Sequence, residues 1–279
     1  MENRFLSEQD IGAFSDYLQR EEKSKATCEK YIRDVRKFKN FAGNAQITKE
    51  LVVCYKKACI DSGYAVRSIN SMLASVNSLL CFLGLSECRA KIIRQQRQTY
   101  CTEDKELTKG EYLRLLEASK SNIQLNLLLQ TICSTGIRVS ELQYFTVEAI
   151  QKGEISVSCK SKTRIILVPG KLKRLLLHYA KKKKIRSGSI FVSRTGKPLD
   201  RSNIWKQMKE LCKAANVAPS KVFPHNLRKL FARTFYGIEK DIAKLADILG
   251  HSSINTTRIY IISTGLEHRR KLERLGLVV

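Results

Sequence analysis

The first 85 residues show the periodic spacing of apolar and polar positions that is typical of amphipathic helices. In the stretch AVRSINSMLASVNSLLCFLG, for example, apolar residues recur at positions i, i+3, i+4 and i+7. No segment of this region shows the strict alternation of a β-strand. The pattern predicts four helices, over residues 7–21, 25–43, 48–63 and 65–84.

Hydroxyl and carboxyl side chains mark the beginnings of several predicted helices. Ser7 and Asp10 have the spacing of a capping box, in which each side chain accepts from the backbone N–H of the other residue. Thr48 stands in the N-cap position of the third helix. Thr108 and Glu111 repeat the capping-box spacing and mark the start of a helix in the second half of the chain.

Residues 89–106, RAKIIRQQRQTYCTEDKE, interrupt the helical periodicity. This segment is polar and basic and has no apolar period, so we predict an extended linker between two domains. On this interpretation an N-terminal domain covers residues 1–88 and a C-terminal domain covers residues 107–279.

The C-terminal part predicts a mostly α domain that carries a small antiparallel β-sheet. An apolar helix is predicted from Ile123 to Cys133, and the β-rich runs EISVSC and RIILVP, joined by KSKT, predict a hairpin. A basic helix, KLKRLLLHYAKKKK, follows, and SIFVS predicts a short strand before the turn RTGKP. From Arg201 onward the pattern predicts successive helices with breaks at Pro219, Pro224, Gly237 and Gly250.

The composition fits a globular protein of two domains. Of the 279 residues, 43% are hydrophobic, which is enough to bury a core and argues against disorder. The apolar runs are far shorter than the ~18 residues of a membrane span, and MENRFLSEQD is too polar for a signal peptide. We therefore expect a cytoplasmic protein with no membrane association, whose nine cysteines are free thiols without a metal.

The net charge changes this picture most. The chain has 51 Lys and Arg against 26 Asp and Glu, a formal net charge of +25. Such an excess opposes compactness unless a polyanion neutralises it, and nucleic acid is the most common polyanion. An anionic membrane is the alternative, but the basic residues are spread over the whole chain instead of lining one amphipathic helix. The charge therefore favours a nucleic-acid partner.

Four separate stretches contain side chains suited to breaking a phosphodiester. Guanidinium groups can stabilise the charge that develops on the non-bridging oxygens, a tyrosine hydroxyl can attack phosphorus, and His or Lys can transfer the protons. This chemistry needs no metal ion, and we expect no cofactor. The stretches are TGIRVSEL with Arg138, SCKSKTRIILVP with Lys160 and Lys162, PHNLRKLFART with His225 and Arg228, and LGHSSINTTRIY with His251 and Tyr260.

Taken singly, each stretch is unremarkable, but together and in this order they resemble the tyrosine recombinase (phage integrase) family. TGIRVSEL resembles the block that holds the family's first catalytic arginine, HNLR matches its HxLR block, and LGHSSINTTRIY matches its LGHxxxxTTxxY block almost residue for residue. The resemblance extends along essentially the whole chain. It implies an N-terminal four-helix core-binding (SAM-like) domain that closes half of a clamp around DNA, followed by an α-rich catalytic domain with a small antiparallel sheet.

The resemblance also implies a role for each matching residue. Tyr260 would be the nucleophile that forms a 3′-phosphotyrosine bond and frees a 5′-hydroxyl. Arg138 and Arg228 would hold the non-bridging phosphate oxygens. His225 would help to take the tyrosine proton, because a phenol is a poor nucleophile at neutral pH, and His251 would hydrogen-bond the phosphate.

Two positions require separate comment. Lys229 follows HNLR where the family usually has a histidine, and we expect altered local packing rather than inactivity. The general acid would be a lysine of the hairpin, and Lys160 is favoured because it precedes the turn as the family's lysine does. Lys162 is the alternative, because the turn is short and a residue two positions further on lies on the same strand face.

The implied reaction cuts and rejoins double-stranded DNA at specific sites without ATP or metal, because the phosphotyrosine conserves the bond energy. The resemblance implies a homotetramer on two duplexes. One alternative is an enzyme like a type IB topoisomerase, which acts as a monomer on one duplex, and another is a DNA-binding protein without catalysis. The tail after Tyr260 predicts a helix exchanged between subunits, with apolar contacts from Leu266, Leu272, Leu275 and Leu277.

Overall fold

The computed structural model describes residues 5–95, 105–159, 162–261 and 272–275, without the side chains of Cys159 and Lys162. The chain forms two compact units, Met1–Arg97 and Gln98–Val279. Helices predominate in both units, and the predicted fold class, mostly α with a small antiparallel sheet, is confirmed. None of the described helices has both the length and the apolar character needed to cross a membrane.

The N-terminal unit contains the four predicted helices. Ser7 and Asp10 form the predicted capping box of the first helix, and the Thr48 side chain caps the third. One face of each helix is buried in an apolar core that includes the rings of Phe14 and Phe38. The helices are α1 (Glu8–Arg20), α2 (Lys25–Ala42), α3 (Lys49–Asp61) and α4 (Val66–Phe82).

The segment that follows α4 packs on the N-terminal unit. The Asn77 side chain donates to the Ala90 carbonyl (2.9 Å) and accepts from the Ala90 N–H (3.0 Å). Asn70 makes the same pair of bonds with Ile93, at 2.9 and 2.8 Å. The beginning of the predicted linker is therefore held against α4, because two asparagine side chains satisfy its backbone groups.

The C-terminal unit arranges helices and one β-hairpin around an apolar core. Thr108 and Glu111 form the predicted capping box of its first helix. The core includes Leu129, Phe145 and Leu176, which are all fully buried. The elements are α5 (Lys109–Ala118), α6 (Ile123–Thr135), α7 (Val147–Lys152), β1 (Glu154–Cys159), β2 (Lys162–Leu167), α8 (Gly170–Lys182), α9 (Arg201–Ala215), α10 (Pro224–Glu239), α11 (Ile242–Leu249) and α12 (Ile254–Ile261).

The hairpin forms as predicted, but its connection is shorter than the predicted KSKT. β1 and β2 are antiparallel, and their pairing continues to Cys159 opposite Lys162. Lys162 and Thr163 therefore belong to β2 and not to the connection. Residues 160 and 161, which lie outside the described part of the chain, separate the two strands in sequence.

Two local predictions in the C-terminal unit are wrong. SIFVS does not form a strand, since Ser189 and Val192 each make only an isolated bridge. Ile190 and Phe191 are consecutive yet both buried, whereas strand side chains alternate between two faces. The apolar character of this run therefore reflects burial in the core. Gly237, predicted as a helix break, lies inside α10, where an isolated glycine is tolerated near the helix end.

Two glycines allow the ends of α6 and α11 to approach their neighbours closely. Gly136 caps α6 with φ 64°, and Gly250 caps α11 with φ 62°, in the left-handed region that favours glycine. A Cβ atom on Gly136 would overlap the ring of Phe231 on α10. A Cβ atom on Gly250 would lie 2.9 Å from Nε of Arg164 on β2. The motif residues near these helix ends are therefore brought together.

Candidate active site

Helix α10 carries His225 and Arg228 in its first two turns. Pro224 occupies the first helical position, where its missing N–H has no intrahelical partner to lose. The three-residue spacing places both side chains on one side of the helix. His225 is exposed, whereas Arg228 is only 1% exposed. A guanidinium group buried to this extent requires hydrogen-bond acceptors.

Backbone carbonyl groups at two helix ends supply these acceptors. Nη1 of Arg228 donates to the Gly136 carbonyl at the end of α6, and Nη2 donates to the Leu249 carbonyl at the end of α11 (2.6 Å). The C-terminal ends of helices carry partial negative charge, which stabilises a cation. Burial, and after it the charge of Arg138, lowers the pKa of Arg228 to about 10, so the guanidinium remains charged at neutral pH.

Arg138 is held by the carboxylate of Glu141, three residues further along the chain. It precedes a 3₁₀ helix (Val139–Tyr144), in which Glu141 is 3% exposed. The Glu141 carboxylate accepts from the Arg138 backbone N–H (2.7 Å) and from Nη1 (3.1 Å), while Nη2 donates to the Gly250 carbonyl (3.2 Å). The Arg138 side chain remains 39% exposed, so its guanidinium is accessible to an anion.

A third arginine, Arg164 of β2, contacts the same region. Its Nη2 pairs with the Glu141 carboxylate at 2.5 Å, and its Nη1 donates to the Ile248 carbonyl. The end of α11 is therefore surrounded by guanidinium groups that are held by backbone carbonyls and one carboxylate. The three successive carbonyls of Ile248, Leu249 and Gly250 accept from Arg164, Arg228 and Arg138, respectively.

His251 follows Gly250 and is neutral at physiological pH. Its Nε2 lies 3.0 Å from Nη2 of Arg228, and its Nδ1 lies 2.9 Å from the Thr257 hydroxyl. Because a guanidinium can only donate, we assign the proton of the neutral ring to Nδ1, which donates to Thr257. Burial, followed by the charges of Arg228 and Arg138, lowers the pKa of His251 to about 4.

Tyr260 of α12 packs beside both histidines. Tyr260 is 6% exposed, and its ring centroid is 5.1 Å from that of His225 and 5.1 Å from that of His251. The guanidinium carbon of Arg228 lies 5.9 Å from the same centroid. Leu245 of α11 packs with Tyr260 in a small apolar cluster separate from the main core. Packing thus fixes the tyrosine beside three groups that can move a proton or bind an anion.

The pKa of His225 is lowered, although the residue as a whole is exposed to solvent. Partial burial of the ring is the largest cause, and the charges of Lys229 and Arg228 follow. The free ring is therefore neutral at physiological pH and can accept a proton. Lys229, which stands where the family usually has a histidine, places a positive charge near His225 instead of a second imidazole.

The structure brings five of the six predicted site residues together. Lys160, the favoured general acid, lies outside the described residues. The backbone of Lys162 belongs to β2, but its side chain is also outside the description, so the choice between the two lysines stays a prediction. The residues that come together are Arg138, His225, Arg228, His251 and Tyr260.

Three residues that hold the site have no role in the sequence-based interpretation. Glu141, Arg164 and Thr257 all stand inside the motif stretches, and their positions there are the only sequence signal for them. Arg164 has partners that are distant along the chain, Glu141 and Ile248, and the Thr257 hydroxyl contacts His251 six residues away. No periodic pattern of apolar residues indicates these contacts.

Comparison with known proteins identifies the family to which this fold belongs. The phage integrase family model matches residues 105–265, and the model of the phage integrase N-terminal SAM-like domain matches residues 11–85. Tyrosine recombinase XerA of Pyrococcus furiosus is 30% identical over 286 residues, which cover 100% of this chain and 98% of that protein.

Two solved structures have a similar fold. A lambda integrase dimer bound to a COC′ core site has a TM-score of 0.72 at 18% identity, covering 91% of this chain and 95% of that chain. A lambda integrase tetramer bound to a Holliday junction has a TM-score of 0.71 at 19% identity, covering 91% and 76%. As its motifs predicted, the chain therefore belongs to the phage integrase family, the tyrosine recombinases that break and rejoin DNA.

Proposed function

We propose that the protein is a site-specific recombinase that cuts and rejoins double-stranded DNA through a 3′-phosphotyrosine on Tyr260. The observation that carries this proposal is the position of the Tyr260 ring, 5.1 Å from two neutral histidine rings and 5.9 Å from a buried guanidinium. A tyrosine that only fills the core needs no such neighbours, and burying a cation beside it costs free energy. The arrangement suits a nucleophile.

In the proposed cleavage step, the phenolic oxygen of Tyr260 forms a bond to phosphorus as the bond from phosphorus to the 5′ oxygen breaks. His225 accepts the phenolic proton, which its lowered pKa permits because the free ring is neutral. A hairpin lysine, Lys160 or else Lys162, donates a proton to the departing 5′ oxygen. Attack of a 5′-hydroxyl on the phosphotyrosine reverses these transfers and rejoins the strand, so that no ATP is consumed.

The arginines would bind the phosphate whose charge increases in the transition state. Arg138 and Arg228 are already held in place by helix-end carbonyls and Glu141, so little reorganisation is needed when the phosphate arrives. The negative phosphate would also raise the pKa of His251 from about 4. The protonated ring could then donate from Nε2 to the phosphate while Nδ1 keeps its bond to Thr257.

We further propose that both units contact DNA, with the N-terminal domain (1–88) as half of a clamp, residues 89–106 as the linker and residues 107–279 as the catalytic domain. The +25 net charge supports a large electrostatic share of the binding free energy. Affinity should therefore fall by about 10³-fold or more between roughly 50 and 200 mM salt. A flat salt dependence in a fluorescence anisotropy titration would contradict the clamp.

The active assembly is proposed to be a homotetramer on two duplexes, acting in the cytoplasm. Support comes from the similar fold of the lambda integrase tetramer bound to a Holliday junction. The tail predicted to exchange between subunits lies outside the described residues except for 272–275. Covalent complexes that join two DNA sites would support this assembly, whereas an enzyme like a type IB topoisomerase would trap one duplex per monomer.

The decisive experiment removes the hydroxyl group of Tyr260, the proposed nucleophile. Tyr260→Phe should keep DNA binding but form no covalent adduct with a nicked substrate that traps the intermediate, as seen by SDS gel electrophoresis. Tyr236→Phe is the matched control, because Tyr236 packs against the same small cluster and has no proposed role in chemistry. An adduct with Tyr260→Phe would refute the nucleophile. Wild-type protein that binds specific DNA without any adduct would favour a binding protein without catalysis.

A further inference from the structure

Arg164 connects the β-hairpin to two other elements of the site. Its Nη2 pairs with Glu141, which holds Arg138, and its Nη1 donates to Ile248, close to the turn that carries His251. The Arg164 side chain is 14% exposed, so both bonds lie largely out of solvent. Bonds shielded in this way constrain geometry more strongly than surface ion pairs do.

The position of Arg164 along the hairpin determines what it can hold. The base of the hairpin is fixed by the core, where Ile155, Val157 and Ile166 are buried. Arg164 pairs with Val157 and stands two residues from Lys162, at the end that carries the predicted general acid. Within the described part of the hairpin, Arg164 alone makes side-chain hydrogen bonds to other elements. It is thus the last described anchor before the connection between the strands.

The packing around Arg164 leaves little room for a different arrangement. A Cβ atom on Gly250 would lie 2.5 Å from Cδ and 2.9 Å from Nε of Arg164. Gly250 has φ 62° and immediately precedes His251. The arginine stem therefore passes directly over the turn between α11 and His251. A shift of the hairpin relative to this turn would require Arg164 to break its hydrogen bond to the Ile248 carbonyl.

We propose that Arg164 is a positioning residue that holds strand β2 of the hairpin in register with Arg138 and His251. This inference rests on the proposed function. Arg138 does not depend on Arg164 for its place, because its own backbone N–H and Nη1 both bind Glu141. Among its described residues, the hairpin has no second side-chain hydrogen bond to another element besides those of Arg164. Loss of Arg164 should therefore impair protonation of the leaving 5′ oxygen more than binding of the phosphate.

A substrate with sulfur in place of the 5′ bridging oxygen separates these two effects. A thiolate leaves without protonation, so the substrate bypasses the general acid, whereas the non-bridging oxygens still need their guanidinium groups. Arg164→Ala should slow adduct formation by about 10²-fold on the oxygen substrate, the usual scale for misplacing a catalytic group. On the sulfur substrate its rate should return to within about tenfold of wild type.

Two further variants make the test specific. Arg164→Lys keeps the charge but cannot bridge two acceptors as a guanidinium does, and should show the same sulfur rescue from a smaller initial defect. It also carries the test if Arg164→Ala does not fold, as checked by circular dichroism. Ile165→Ala is the matched control, because Ile165 is the next residue of β2 and is 61% exposed, and it should cleave both substrates at the wild-type rate.

The outcomes distinguish the inference from the function on which it rests. Equal slowing of both Arg164 variants on oxygen and sulfur substrates would overturn the positioning of the acid. Wild-type rates with both Arg164 variants would overturn it as well. Wild-type protein that forms no adduct with either substrate would instead refute the proposed recombinase chemistry.

Discussion

The two units of the molecule bury charged groups in different ways. In the N-terminal unit, Asp34 is 6% exposed and pairs with Lys30, one turn earlier on α2, at 2.8 Å. In the C-terminal unit, Glu141 is 3% exposed and pairs with Arg164, 23 residues away. Arg228 is 1% exposed and donates to the Gly136 carbonyl, 92 residues away. The first pair is local, and the others depend on distant segments.

The local pair stabilises a helix, whereas the pairs between distant segments build the candidate active site. The Lys30–Asp34 pair can form whenever α2 forms, and it also receives a hydrogen bond from Ser75 of α4 (3.1 Å). The charges around α11 form a site only after four elements have packed together. They concentrate three guanidinium groups next to one carboxylate, which leaves an excess of positive charge in a poorly solvated place. Such an excess is costly for stability but suits the binding of a phosphate.

The largest effect on stability is expected at Glu141, one of the two buried carboxylates. Glu141→Ala removes the acceptor of two guanidinium groups and should lower the free energy of unfolding by about 3–5 kcal/mol. Asp34→Ala should cost only about 1–2 kcal/mol, because Lys30 is partly exposed and can turn to water. Urea unfolding of each variant measures both values. Equal costs would show that the local and distant pairs do not differ in the way proposed.

The second prediction concerns Arg228. Lysine keeps the charge but not the planar fork, so Arg228→Lys should slow adduct formation by about 10²–10³-fold at saturating DNA. It should also lower stability by about 1–3 kcal/mol, because one buried carbonyl loses its donor. Arg174→Lys, at an exposed position of α8, is the matched control and should change neither quantity. Wild-type cleavage by Arg228→Lys would reduce Arg228 to a structural cation.

The third prediction uses the same substitution in both units. Gly136→Ala would place a methyl group against Phe231 in a left-handed conformation, and should lower the free energy of unfolding by about 1–3 kcal/mol. Gly12→Ala lies inside α1 with no atom within 4 Å of its new methyl, and should raise stability by about 0.5–1 kcal/mol. Thermal unfolding that gives both variants the same sign would contradict the packing described at Gly136.

The last prediction concerns the pH dependence of stability that His251 contributes. Because burial lowers its pKa in the folded protein from 6.5 to about 4, the unfolded chain binds this proton first. The contribution of neutral His251 to stability is therefore complete above pH 6.5 and is lost as the pH falls from there to about 4. His251→Gln, which cannot titrate, should lose less stability than wild type over this range. Parallel stability profiles would contradict the lowered pKa.

Much of the fold could be predicted from the sequence, because its causes are local. The four N-terminal helices follow from apolar periodicity and from the side chains at their first turns, such as Ser7 and Thr48. The hairpin was predicted from two β-rich runs, but its connection was wrong by two residues, because the ladder continues to Lys162. SIFVS was wrong for a different reason, since burial in the core and pairing in a strand select the same apolar residues.

The candidate active site also has features that depend on the sequence alone and features that depend on tertiary packing. The sequence by itself determined which residues are candidates, because the order and spacing of Arg138, His225, Arg228, His251 and Tyr260 are properties of the chain. Only the tertiary structure decided that Arg228 is buried against helix-end carbonyls, that both histidines are neutral, and that Arg164 ties the hairpin to the site. The physical reason is that desolvation and Coulomb interactions depend on distances in space, which segments far apart in sequence acquire only when they pack together.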